Sequence, residues 1–193
     1  MVKLETTDVS PERIQLGNGV SVPRRWTGVL RGEPGVPGAI QVQVVFDPKL
    51  GRSAADLVTV ARGGEGDEVT SLTLREVRVQ AVLQATGLMV STVADGSDSA
   101  PSGAAYLDRM RKRTGRTAEQ NVADAATTYR LAVAVNLPPL KAVADCLGVS
   151  QSTATRLMNR ARVDGLAAGL RLPDADATGP VTDRAAASGP SIH

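Results

Sequence analysis

Aromatic side chains are scarce in this 193-residue chain: Trp26, Phe46, Tyr106 and Tyr129 are all it has. With 42% apolar residues it can still bury a core, but that core must be built mostly from Val, Leu and Ala. Histidine and cysteine are nearly absent, with His193 at the C-terminus and Cys146 alone. A lone cysteine forms no internal disulfide, which fits a reducing cytoplasm. The same shortage excludes most Ser-His-Asp and Cys-His nucleophilic arrangements, and zinc sites built from His and Cys. No apolar run approaches the ~18 residues of a membrane span, and the N-terminus does not read as a signal peptide. There is no GxxxxGK[ST] phosphate loop and no GxGxxG after a strand. A non-enzyme without cofactor is expected.

Charge is unevenly spread. Residues 1–104 hold 10 basic and 12 acidic side chains, whereas 105–172 hold 11 basic and 5 acidic. The last 21 residues hold 1 and 3, so the net +2 conceals a segment of +6. A concentrated positive charge is what neutralising phosphates on nucleic acid requires.

Within that segment, residues 140–166 read LKAVADCLGVSQSTATRLMNRARVDGL. Leu140, Val143, Ala144 and Leu147 share one face of a helix, and Ala154, Leu157, Met158 and Ala161 repeat the spacing. Between them Gly148 can take the positive φ of a tight turn, Val149 can fill the corner, and Ser150 can cap the second helix. Ala144 is small where two steeply crossing helices must touch. The opposite face of the second helix presents Gln151, Ser152, Thr155, Arg156, Asn159 and Arg160, with no acid among them. These donor and acceptor types read base edges.

The wording resembles the helix-turn-helix segment of DNA-binding proteins common in high-GC Gram-positive bacteria and their phages, over about 117–166. Ala154 departs from the Val or Ile usual at its position. The resemblance implies that helix 151–164 enters the major groove of double-stranded DNA. Gln151, Ser152, Thr155, Arg156 and Asn159 would then face bases, and Lys141, Ser150, Thr153, Arg160 and Arg162 would face phosphates. It implies either a transcriptional regulator or a mobile-element or replication accessory protein that positions partners on DNA. One such motif contacts few base pairs, so a homodimer held by the N-terminal unit is expected, with 40–44 or 57–61 offering a strand edge. The expected location is the cytoplasm, on the nucleoid.

The rest of the chain predicts a fold of α+β class: a small N-terminal β-rich α+β unit (1–93), a linker (94–104), an all-α helix-turn-helix domain (105–172) and a disordered tail (173–193). Residues 1–13 are polar and expected to be loosely attached. Asn18-Gly19 signals a hairpin joining strands at 13–16 and 20–23. Residues 40–44 alternate as a half-buried strand; 57–61 and 69–74 read as further strands. Residues 77–88 read as a helix with Val79, Val82, Leu83 and Thr86 on one face and Gly87 as its stop. Trp26 is expected in the core, flanked by Arg24 and Arg25. Glu65, Asp67 and Glu68 read as a solvated turn or a cation site. Tyr106, Leu107 and Met110 form one side of a helix running into RMRKRTGR, whose cations either follow phosphates or are solvated. Thr117 with Gln120 forms a capping box for a helix lined by Val122, Ala125, Ala126, Tyr129, Ala132 and Val133, ended by Pro138-Pro139. Cys146 reads as a packing residue. Gly165 is expected to end the second motif helix with Leu166 folded back over it, and Leu170 and Leu172 to add a last packing segment.

Overall fold

The computed structural model describes residues 1–94, 96 and 99–170, so the expectations for Leu172 and for 173–193 fall outside the described residues. The chain mixes α and β structure, β-rich first and helical later. One antiparallel sheet has the order β1 (Lys3–Thr7), β4 (Arg25–Arg31), β5 (Ala39–Asp47), β6 (Arg52–Ala61). A second has the order β2 (Arg13–Gly17), β3 (Val20–Pro23), β7 (Thr92–Val93). The helices are α1 (Ser71–Glu76), α2 (Val79–Val90), α3 (Gly103–Lys112), α4 (Ala118–Ala134), α5 (Pro139–Leu147) and α6 (Gln151–Val163).

The β2–β3 hairpin turns where Asn18-Gly19 predicts. Both residues have positive φ, 50° and 72°, the conformation a tight two-residue hairpin loop demands. The polar start of the chain is not loose: β1 pairs along its length with β4, from Lys3 opposite Arg31 to Thr7 opposite Thr27. Leu4 packs against the core of the large sheet, and one large apolar residue in five is too weak a pattern to announce a strand.

Residues 69–74 do not form a strand. Thr70 caps α1, its hydroxyl accepting from the Thr73 amide (3.3 Å) while the Thr73 hydroxyl accepts from the Thr70 amide (3.2 Å). Leu72 and Leu74 alternate like a strand face but are both exposed on this short helix. Nor does Gly87 stop α2, which runs on to Val90. A Cβ at Gly87 would lie 3.0 Å from the Val135 side chain and 3.5 Å from Trp26. The glycine therefore lets α2 pass between the large sheet and the later helices. Gly28 does the same from the sheet side, since a Cβ there would meet Val82 and Thr86 at 2.9 Å.

Three apolar clusters follow. Trp26, Ile40, Val42 and Val44 pack with Val82 and Leu83 of α2. Val122, Ala125, Tyr129, Val143, Ala144, Ala154 and Met158 bind α4, α5 and α6 together. The third cluster crosses between these regions: Val20 and Val93 pack with Tyr106, Leu107, Met110, Leu131, Val135 and Cys146. The stretch expected as a linker takes part in the same junction. Thr92 bridges Ser102, Gly103 N–H donates to the Ser91 carbonyl at 2.9 Å, and Ser102 caps α3.

Asn136, just beyond α4, ties the regions again. It has a φ of 61°, its amide donates to Gln80 at 2.7 Å, and its carbonyl accepts from Gln84 at 2.7 Å. Arg52 of β6 also donates to its side-chain oxygen.

Candidate nucleic-acid interface

The turn between α5 and α6 is built from three residues. Gly148 has a φ of 65°, and a Cβ there would meet nothing within 4 Å, so the backbone conformation alone calls for glycine. Val149 packs half-buried on the helical core and its amide reaches the Ala144 carbonyl at 3.0 Å. Ser150 caps α6, its hydroxyl accepting from the Thr153 amide at 3.2 Å. Ala144 and Ala154 are both buried, and Ala154 is fully enclosed. Leu157 is only half-buried, so Met158 and Ala161 carry most of the inward packing of α6.

Beyond α6 the chain turns back through Gly165, φ 75°, with the Leu166 and Ala167 amides both donating to the Ala161 carbonyl. The seal, however, is Ala167, which is buried, while the Leu166 side chain is exposed. The left-handed turn at Gly165 directs the backbone of Leu166 inward and its side chain outward. The amide of Asn18 holds the Leu166 carbonyl at 3.0 Å, so the β2–β3 turn buttresses this end.

The outward face of α6 holds the residues singled out for bases, with differences among them. Gln151, Ser152, Arg156 and Asn159 are exposed. Among the described residues, no hydrogen bond or ion pair occupies Gln151, Arg156 or Asn159 through their side chains. Thr155 is half-buried, and its hydroxyl donates to the Gln151 carbonyl at 2.9 Å. Ser152 lies 2.8 Å from the Ser150 hydroxyl. Val163 is 85% exposed and extends the row Ser152, Arg156, Asn159 by one further turn. Sequence reading passed over it, although the same helical spacing includes it.

Among the residues assigned to phosphates, Lys141 and Arg162 are exposed and Ser150 and Thr153 form the cap. Arg160 is exposed but pairs with Asp164 at 3.4 Å. It also lies near Glu119 at the start of α4, whose carboxyl is lowered first by the hydrogen bonds at that helix end and further by Arg160.

The basic run 109–116 is largely turned to other partners. Arg113 and Arg116 both reach Asp124 of α4 at 3.2 Å, and Arg116 is nearly enclosed. Arg111 pairs with Asp108 at 2.8 Å, and Arg109 lies 6.0 Å from the centre of the Tyr106 ring. Asp124 is the residue that sequence reading overlooked; it lies 8 and 11 positions after Arg116 and Arg113, across a helix boundary that no single periodicity spans.

Cys146 is buried in the junction cluster, and burial pushes its thiol pKa up, against thiolate chemistry. Glu65, Asp67 and Glu68 are exposed. Among the described residues no group of three or more His, Cys, Asp or Glu is placed to hold a metal ion, and no helix is long and apolar enough to cross a membrane. Comparison with protein-family models, with curated proteins and with solved structures found no match.

Proposed function

We propose that the chain is a sequence-specific double-stranded DNA-binding protein that regulates transcription, with α5 and α6 as a helix-turn-helix and α6 in the major groove. The observation that carries this reading is the outer face of α6, where Gln151, Arg156 and Asn159 stand exposed with no partner among the described residues beside a capped, glycine-turned corner. Such a face gives a bidentate guanidinium and two amides to base edges, and Val163 offers an apolar contact for a thymine methyl. Lys141 and Arg162 supply phosphate contacts, and Arg160 joins them on release from Asp164.

Two copies reading two half-sites form a homodimer through the N-terminal sheet, on the nucleoid in the cytoplasm. Of the two stretches expected to offer an edge, 40–44 lies between β4 and β6 and is already paired on both sides. β6 is an outermost strand, and Leu57 and Val58 on it are exposed, which leaves 57–61 for the role.

The test is selection of bound duplexes from a random library by the full-length chain. Enrichment of a two-fold symmetric site supports the reading, with affinity falling steeply as salt rises. No enrichment, or binding indifferent to Arg156→Ala, overturns it.

A further inference from the structure

Arg130 on α4 is a guanidinium removed from water with no counter-charge among the described residues. The residue is only 8% exposed, and no carboxylate pairs with it among the described residues. Its terminal nitrogens donate to the carbonyls of Leu16, on β2, and of Ala168, at 2.7 Å for the latter, while its Nε has no partner among the described residues. The backbone closes tightly over it, since a Cβ on Gly17 would lie 3.3 Å from its Cζ. Burial lowers the pKa of Arg130, and carbonyl dipoles offset only part of the cost of a desolvated ion.

This guanidinium lines a half-open cavity of about 510 Å³ between β2, the β5–β6 turn, α4 and the segment after α6. The volume is in the range that accepts small ligands. Lys49 adds a second positive charge, and the wall is mixed, with Leu16, Phe46, Leu50 and Leu170 supplying apolar surface beside Gln15. A free inorganic anion would leave the Leu16, Phe46 and Leu50 surfaces unused. An amphipathic acid uses both halves of the cavity.

We propose that this cavity binds a small organic carboxylate, with its charged group against Arg130 and Lys49 and its apolar body against Leu16, Phe46 and Leu50. The site is independent of the DNA-binding reading.

Titration of the full-length chain with octanoate, octanamide and inorganic phosphate, followed by calorimetry, tests it. Octanoate is expected to saturate one site, with octanamide and phosphate each weaker by about tenfold or more. Arg130→Met should abolish octanoate binding. Because Arg130 also holds two backbone segments, Leu50→Glu provides a second variant: Leu50 is 53% exposed, and a carboxylate there should weaken octanoate by about tenfold without unfolding the chain. Octanoate binding no better than octanamide, or unchanged by Leu50→Glu, would overturn the site. Phosphate binding more tightly than octanoate would overturn the ligand class.

Discussion

The indole of Trp26 donates a 3.0 Å hydrogen bond to the hydroxyl of Thr86, with both side chains buried between the large sheet and α2. Thr86 in turn donates to the Val82 carbonyl at 2.7 Å. The indole of the β-rich region is therefore fixed by a polar contact as well as by packing. Thr86→Val preserves the shape and removes the acceptor, leaving a buried indole N–H unsatisfied. It should cost about 1–3 kcal/mol, read from denaturant unfolding. Thr86→Ser should recover most of that loss.

On α6 the two faces should separate in experiment. Met158 is 1% exposed, so Met158→Ala should destabilise the chain by about 2–5 kcal/mol. Arg156→Ala should leave the thermal midpoint within a degree or so, yet cost about 1–3 kcal/mol of affinity for the selected DNA site. Half-buried Leu157 should fall between Met158 and a surface position on stability. A melt in which Arg156→Ala unfolds the chain while Met158→Ala does not would reverse the assigned faces.

Asp124 gathers Arg113 and Arg116, and its own side chain and that of Arg116 are largely enclosed. Asp124→Asn leaves a nearly buried guanidinium without its counter-charge and should cost about 3 kcal/mol of stability. Removing Arg113 and Arg116 should change the salt slope of DNA binding less than removing Lys141 and Arg162. Equal slopes from the two pairs would show that the 109–116 run meets phosphates after all.

Burial pushes the Tyr106 phenol up to about 12, with the Asp124 carboxylate adding to the effect. Burial also raises Tyr129. The neutral phenol is the form favoured in the folded chain. The stabilisation from Tyr106 is thus complete below its ordinary pKa near 10, and is lost as pH climbs from 10 towards 12. A spectrophotometric titration near 295 nm should show little phenolate in the folded chain at pH 10. Tyr106→Phe should remove the step at highest pH. Half the phenolate signal already present at pH 10 in folded protein would contradict this.

Local chemistry was legible wherever one short stretch determines the geometry. Asn18-Gly19, the Thr117–Gln120 capping box and the Gly148 turn form where the sequence places them, because each depends on neighbours within four residues. Long-range demands were not legible. Gly87 reads as a helix end in sequence, but it serves the approach of Val135, 48 positions away. β1 and β4 escape notice because their pairing with other strands, more than their alternation, makes them strands. Leu72 and Leu74 mislead because exposure on a six-residue helix imitates the period of a sheet. In the candidate site, the exposed row on α6 followed from periodicity. The capture of Arg113 and Arg116 by Asp124, and the burial of Arg130 against the Leu16 and Ala168 carbonyls, depend on contacts between elements that no spacing rule reaches.

The cluster that joins Val20 and Val93 to Tyr106, Leu107, Leu131, Val135 and Cys146 packs β3 and β7 directly against the helices. Severed near Gly103, the helical portion would present to water the apolar surface now covered by β3 and β7, and would forfeit the Asn18 and Arg130 ties to the hairpin. The helical part therefore draws on the β2–β3 hairpin for its packing, and the turn that follows α6 is tied to that hairpin through Asn18.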